Sequence, residues 1–97
     1  MKLLEVIQRL GEFDDELTIY AESDSGWSET SAAAVELEPE DGGLPPGTEG
    51  LEYFLEVDLA KQVIEVWSQW RDGKTPSASD ACRAVIYYAD NDAFLPV

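Results

Sequence analysis

Three observations predict an α+β fold, a three-stranded antiparallel meander with helices packed on one face. Three short runs alternate apolar and polar residues with a period of two. One segment at the start and two near the end repeat apolar residues at three- and four-residue spacing. The strand-like runs also follow one another with no helix between them. The order is α-β-β-β-α-α in a single domain, residues 1–97, a length that one hydrophobic core can serve.

The first helix carries Leu3, Leu4, Ile7 and Leu10 on one stripe, widened by Val6, with Lys2, Glu5, Gln8 and Arg9 opposite. Gly11 is a natural stop, and Phe13 can tuck beneath it. Asp14-Asp15-Glu16 then forms an acidic turn. Residues 16–22 set Leu17, Ile19 and Ala21 against Thr18 and Tyr20, which makes a half-buried strand. Residues 23–31 have loop composition, and Trp27 within them either caps the core or anchors a partner. The second strand, 32–38, has Ala33, Val35 and Leu37 on one face and Glu36 and Glu38 on the other.

Residues 39–50 contain too much proline and glycine for regular structure and form a long acidic connection, with Glu40 and Asp41 near its start. In the third strand, 51–57, Leu51, Tyr53, Leu55 and Val57 alternate with Glu52, Phe54 and Glu56. Asp58 has the chemistry of an N-cap for a helix over 59–72 that ends at Gly73. Its stripe is Leu59, Val63, Ile64, Trp67 and Trp70, with Val66 beside it, and both tryptophans read as core. Ser77 to Asp80 resembles a capping box and opens a last helix running through Ala89. That helix sets Ala81, Val85, Tyr88 and Ala89 inward, with Cys82 and Ile86 alongside. A strand over 83–89 is the competing reading, because Val-Ile-Tyr-Tyr favours strands.

Charge is the most informative feature. The net charge is −15, from 21 acids against six bases. Residues 10–60 hold 15 of the acids and no base, so the flanks are neutral and the whole imbalance belongs to this segment. Six cations cannot neutralise a phosphate backbone, which excludes direct nucleic-acid binding, and an anionic membrane surface would repel the chain. No apolar run approaches the roughly 18–20 residues of a membrane span, and the start lacks a signal-peptide pattern. With a single cysteine there is no internal disulfide framework, so a cytoplasmic setting is expected.

Catalysis is not expected. There is no histidine, which removes the commonest general base and every Ser-His or Cys-His pair. Cys82 lies among apolar residues and reads as an inert buried thiol. No phosphate-binding glycine loop occurs, and no cofactor is implied. Zinc is disfavoured by the donor set. Asp14-Asp15-Glu16, Glu38-x-Glu40-Asp41 and Asp90-x-Asp92 offer hard oxygens but not the spacing of a calcium loop, so no dedicated metal site is expected.

Several stretches resemble a group of short bacterial proteins of unknown function. They are Lys2-Leu3-Leu4-Glu5-Val6, Phe13-Asp14-Asp15-Glu16, Thr18-Ile19-Tyr20-Ala21, Leu44-Pro45-Pro46, Tyr53-Phe54-Leu55-Glu56-Val57 and Ile86-Tyr87-Tyr88-Ala89. The resemblance spans most of the chain and implies a bacterial or phage origin, with no activity to transfer.

Three functions fit these features. The expected one is a small acidic protein that neutralises a basic protein partner, as an immunity protein or antitoxin does against a nuclease-type toxin. The alternatives are a phage-type DNA mimic that inhibits a restriction or CRISPR nuclease, and a non-catalytic adaptor whose acidity serves solubility. The expected interface collects Asp14, Asp15 and Glu16, the sheet residues Glu36, Glu38, Glu52 and Glu56, the loop acids Glu40 and Asp41, and the anchors Tyr20, Trp27 and Phe54. Charges steer the encounter, while aromatic rings supply buried contact.

Overall fold

A computed structural model describes residues 1–23 and 26–97; Asp24 and Ser25, in the loop expected over 23–31, lie outside the described residues. The elements are α1 (Leu3–Gln8), a 3-10 turn (Leu10–Glu12), β1 (Thr18–Ala21), β2 (Ala33–Glu36), β3 (Glu52–Glu56), α2 (Val57–Gln69) and α3 (Ala78–Asn91). The α+β class and the order α-β-β-β-α-α are as expected, and residues 83–89 are helical. The strands form one antiparallel sheet.

The strand order departs from a meander. A meander would put β2 in the middle, whereas the sheet runs β2-β1-β3 with β1 in the centre. Both edges pair antiparallel to β1 and are therefore parallel to each other. Glu36, the end of β2, lies opposite Thr18, while Glu52, the start of β3, lies opposite Ala21. The connection 37–51 must therefore cross from one edge to the other and run back along the sheet. Its unusual length has this geometric cause.

Directly opposed residues on a ladder share a face. Ile19 lies between Val35 and Leu55, on the face that the helices cover, and Leu3, Val6, Val57, Val63, Cys82 and Val85 join it in one core. Each fully buried aliphatic of this kind contributes roughly 1.5–3 kcal/mol. α2 presents Val57, Ala60, Val63 and Trp67 inward. Trp70, expected in the core, is 49% exposed: it is the C-cap of α2, and its ring meets Phe94 at 5.8 Å between centroids.

Local chemistry sets the helix ends. β3 passes into α2 without a linker, so the N-cap is Glu56 and the expected cap, Asp58, lies in the first turn, where its charge still favours the helix dipole. Val57 N–H is satisfied by the Leu17 carbonyl at 3.0 Å. Ser77 caps α3 as expected, its hydroxyl accepting from Asp80 N–H at 3.0 Å. Beyond α2, Gly73 adopts φ +79° and its N–H donates to the Ser68 carbonyl at 2.8 Å, a backbone turn suited to glycine. Arg71 stacks 4.4 Å from the Trp67 ring centroid and donates to the Trp67 and Pro96 carbonyls, which ties the last residues to α2. No helix is long and apolar enough to cross a membrane among the described residues.

Candidate functional site

The sheet face turned away from the helices is built around Thr18 and Tyr20. Thr18 is flanked by Glu36 on β2 and Glu56 on β3; Tyr20 is flanked by Ala34 and Tyr53. Strict alternation along β3 would have placed Phe54 here and Tyr53 in the core. A register shift between Ile19 and Tyr20 makes Phe54 an extra residue, because Leu55 opposes Ile19 while Tyr53 opposes Tyr20. The bulge turns Phe54 inward beside Leu55, where it is 2% exposed, and leaves Tyr53 outside at 44%. Phe54 is therefore a core residue and not the surface anchor expected of it.

The same bulge separates the four strand glutamates. Glu36 and Glu56 share the outer face, whereas Glu52 pairs with Ala21 and accepts a hydrogen bond from the Ser23 hydroxyl. Glu38 lies past the end of β2, and its charge helps to raise the pKa of both tyrosines. Burial is the larger cause in each case, and at Tyr53 the Glu56 carboxylate acts more strongly than Glu38. Glu36, Glu38 and Glu56 are exposed, and none is in an ion pair among the described residues.

The outer face is not uniformly solvated. Tyr20 lies on it yet is only 1% exposed and stands apart from the helical core. The returning connection has buried residues of its own: Pro45 and Thr48 are buried, and the Thr48 hydroxyl donates to the Pro45 carbonyl at 2.6 Å. The Tyr20 hydroxyl has no partner among the described residues, and its ring meets Tyr53 edge-on at 6.4 Å between centroids. Tyr20 therefore supports Tyr53 from below and does not itself reach the surface.

The remaining expected contacts divide. Asp14, Asp15 and Glu16 are exposed, but Asp15 accepts from the Lys61 ammonium at 2.6 Å, which also donates to the Phe13 carbonyl at 3.0 Å. This acidic turn is fastened to α2. Glu40 is exposed, and the Asp41 carboxylate accepts from Gly43 N–H at 2.8 Å to shape the connection. Trp27 is half-buried and meets Phe54 edge-on at 4.8 Å, so it caps one end of the core. Alternation alone missed Tyr53, although the apolar doublet Phe54-Leu55 carries the signal of a bulge. Leu37, expected on the apolar face of the second strand with Ala33 and Val35, lies past the end of β2 and is 61% exposed, and Leu44 in the connection is 53% exposed.

A shallow depression opens where the connection rejoins the sheet, lined by Glu22, Ser23, Leu44, Gly50, Leu51 and Glu52. Among the described residues no three carboxylates or thiols converge to hold a metal ion. Burial pushes the Cys82 thiol up to about 11, with Glu29 adding to the shift, which keeps it protonated and inert at neutral pH.

A family model matches residues 1–97, the whole of the chain described here. The chain belongs to DUF7716, a domain of unknown function. No curated protein matches it, and no solved structure matches it. The family therefore brings no activity.

Proposed function

We propose that this member of the family is a non-catalytic acidic binding protein that docks a basic protein through its outer sheet face and thereby neutralises it. An immunity protein or antitoxin acting on a nuclease-type toxin in the cytoplasm fits this reading. The single observation that carries it is the set Glu36, Glu38 and Glu56, exposed around a half-exposed tyrosine and without an ion-pair partner among the described residues. Unpaired carboxylates on one face repel each other, and a cationic surface relieves that repulsion while gaining steered association.

The test uses purified protein and the basic proteins it retains from the source organism. The Glu36→Gln/Glu38→Gln/Glu56→Gln variant is expected to lose a salt-sensitive basic partner, while Glu52→Gln alone, which points elsewhere, keeps it. Association should slow steeply between about 0.05 and 0.5 M salt, as exposed charges are screened within about 10 Å or less. An association rate indifferent to salt, or equal binding by the triple variant, overturns the reading. A retained restriction or CRISPR nuclease would replace toxin neutralisation with DNA mimicry.

A further inference from the structure

We propose that Asp41-Gly42 is a site of spontaneous isomerisation, where aspartate becomes isoaspartate through a cyclic succinimide. The fold keeps the chain's other Asp-Gly pair, Asp72-Gly73, from doing the same. The modification concerns the backbone itself and stands independently of the docking reading above. The Gly42 nitrogen attacks the carboxyl carbon of the Asp41 side chain. A nitrogen–carbon bond forms, the amide proton and the carboxyl hydroxyl leave together as water, and nothing is oxidised or reduced. Water then opens the ring. Addition at the former side-chain carbonyl restores aspartate. Addition at the former backbone carbonyl breaks the original peptide bond and leaves isoaspartate, whose backbone runs through the side-chain carbon and is one methylene longer.

Three conditions decide where an aspartate reacts. The next residue must leave its nitrogen unshielded, which glycine does for want of a Cβ. The carboxyl must lean forward along the chain, and the local backbone must open so that the nitrogen can turn toward it. Asp41 meets all three. Asp41, Gly42 and Gly43 are exposed, and the Asp41 Oδ1 accepts from Gly43 N–H at 2.8 Å, so the side chain curls forward past Gly42. A Cβ placed on Gly43 would lie 3.1 Å from that oxygen and 3.8 Å from the carboxyl carbon, whereas one on Gly42 would meet nothing within 4 Å. Gly42 N–H donates to the Pro39 carbonyl at 3.0 Å, a turn within the connection between β2 and β3. Opening that turn disturbs neither helix nor strand.

Asp72 has the same sequence in a different setting. It follows α2 in the left-handed region at φ +57°, and Gly73 N–H donates to the Ser68 carbonyl at 2.8 Å. Its neighbour Arg71 is tied to the Trp67 ring and to the Trp67 and Pro96 carbonyls. Turning the Gly73 nitrogen toward the Asp72 carboxyl would break the turn that ends α2 and pull against this clasp. A near-attack geometry is therefore within reach of local opening at Asp41 but not at Asp72.

The test is prolonged incubation of the folded protein at physiological temperature and mildly acidic pH, beside a sample unfolded in guanidinium chloride. Isoaspartate is counted by the methyl groups that an isoaspartyl carboxyl methyltransferase transfers from S-adenosylmethionine. It is located by an endoproteinase that cuts before aspartate but not before isoaspartate, with the mass of the uncut peptide unchanged. The folded protein is expected to lose cleavage at Asp41 progressively and to keep it at Asp72, whereas the unfolded protein loses both. Asp41→Glu should remove methyl acceptance by the folded protein, because the longer side chain closes a ring far less readily, and Asp72→Glu should leave it unchanged. Full retention of cleavage at Asp41 in the folded protein, or equal loss at Asp41 and Asp72 there, overturns the proposal. An Asp72 that stays unreacted even in guanidinium chloride also overturns it, since the selectivity would then not come from the fold.

Discussion

Cys82 shows how one buried group sets a limit on stability. Its thiol is fully buried, and its pKa rises from an ordinary value near 9 to about 11. Below about pH 9 the thiol is protonated in both folded and unfolded chains, and its contribution does not vary. Between about 9 and 11 the unfolded thiol ionises while the folded one does not, so the unfolded state gains and stability falls. Two pKa units set a ceiling of about 3 kcal/mol on that loss. Urea unfolding at pH 8 and pH 10.5 should show the decline, and Cys82→Ala should flatten its first part. Tyr20 and Tyr53, whose pKa values are also raised, add a decline of the same sign above about pH 10. Tyr20 has a second consequence at neutral pH. Its hydroxyl is desolvated and unpartnered, so Tyr20→Phe removes a cost and is expected to leave stability unchanged or raise it by up to about 1 kcal/mol. A fall of more than about 1 kcal/mol in thermal or urea unfolding would show that the hydroxyl has a partner after all.

Among the elements, α3 and the connection 37–51 have identifiable fastenings. Ser77→Ala removes the cap of α3 and should cost about 1 kcal/mol, measured by urea unfolding. Thr48 is 0% exposed and closes the connection through Pro45, so Thr48→Ala should loosen the connection and speed proteolytic cleavage near Gly42-Gly43. Much of this architecture was legible in the sequence, because periodicity reports which face of an element is apolar. The stripe of α1, the alternation of β1 and the Ser77 cap follow directly from it. Periodicity does not report which strands are neighbours, so the central place of β1 was hidden and a meander looked natural. It also assumes an unbroken ladder. One extra residue in β3 exchanged Tyr53 and Phe54 and moved Glu52 away from Glu36 and Glu56. Tyr20 escaped for a third reason: alternation puts it on the outer face, and a place on that face does not itself report exposure, which is only 1%. The acidic character of the candidate site was therefore readable from composition, whereas its aromatic centre depended on tertiary geometry.

Across the whole molecule, a charge of −15 concentrated between residues 10 and 60 stores repulsion in the folded state. The ion pairs among the described residues, Arg9–Glu12 and Lys61–Asp15, are exposed or partly exposed and offset little of it. Added salt should raise the melting temperature, because screening of the repulsion outweighs the weakening of those pairs; a melting temperature that falls with salt would contradict this balance. The junction at Glu56 and Val57 links the two layers of the molecule. With no residue between strand and helix, the outer-face carboxylate of Glu56 is directly followed by the buried Val57 that starts α2. A load placed on Glu56 is thereby transmitted to the Trp67 indole, which is clasped by Arg71 on the far side. In a Trp27→Phe/Trp70→Phe variant, the intrinsic fluorescence of that one remaining indole can then act as a gauge of what happens on the acidic face, with no label attached there.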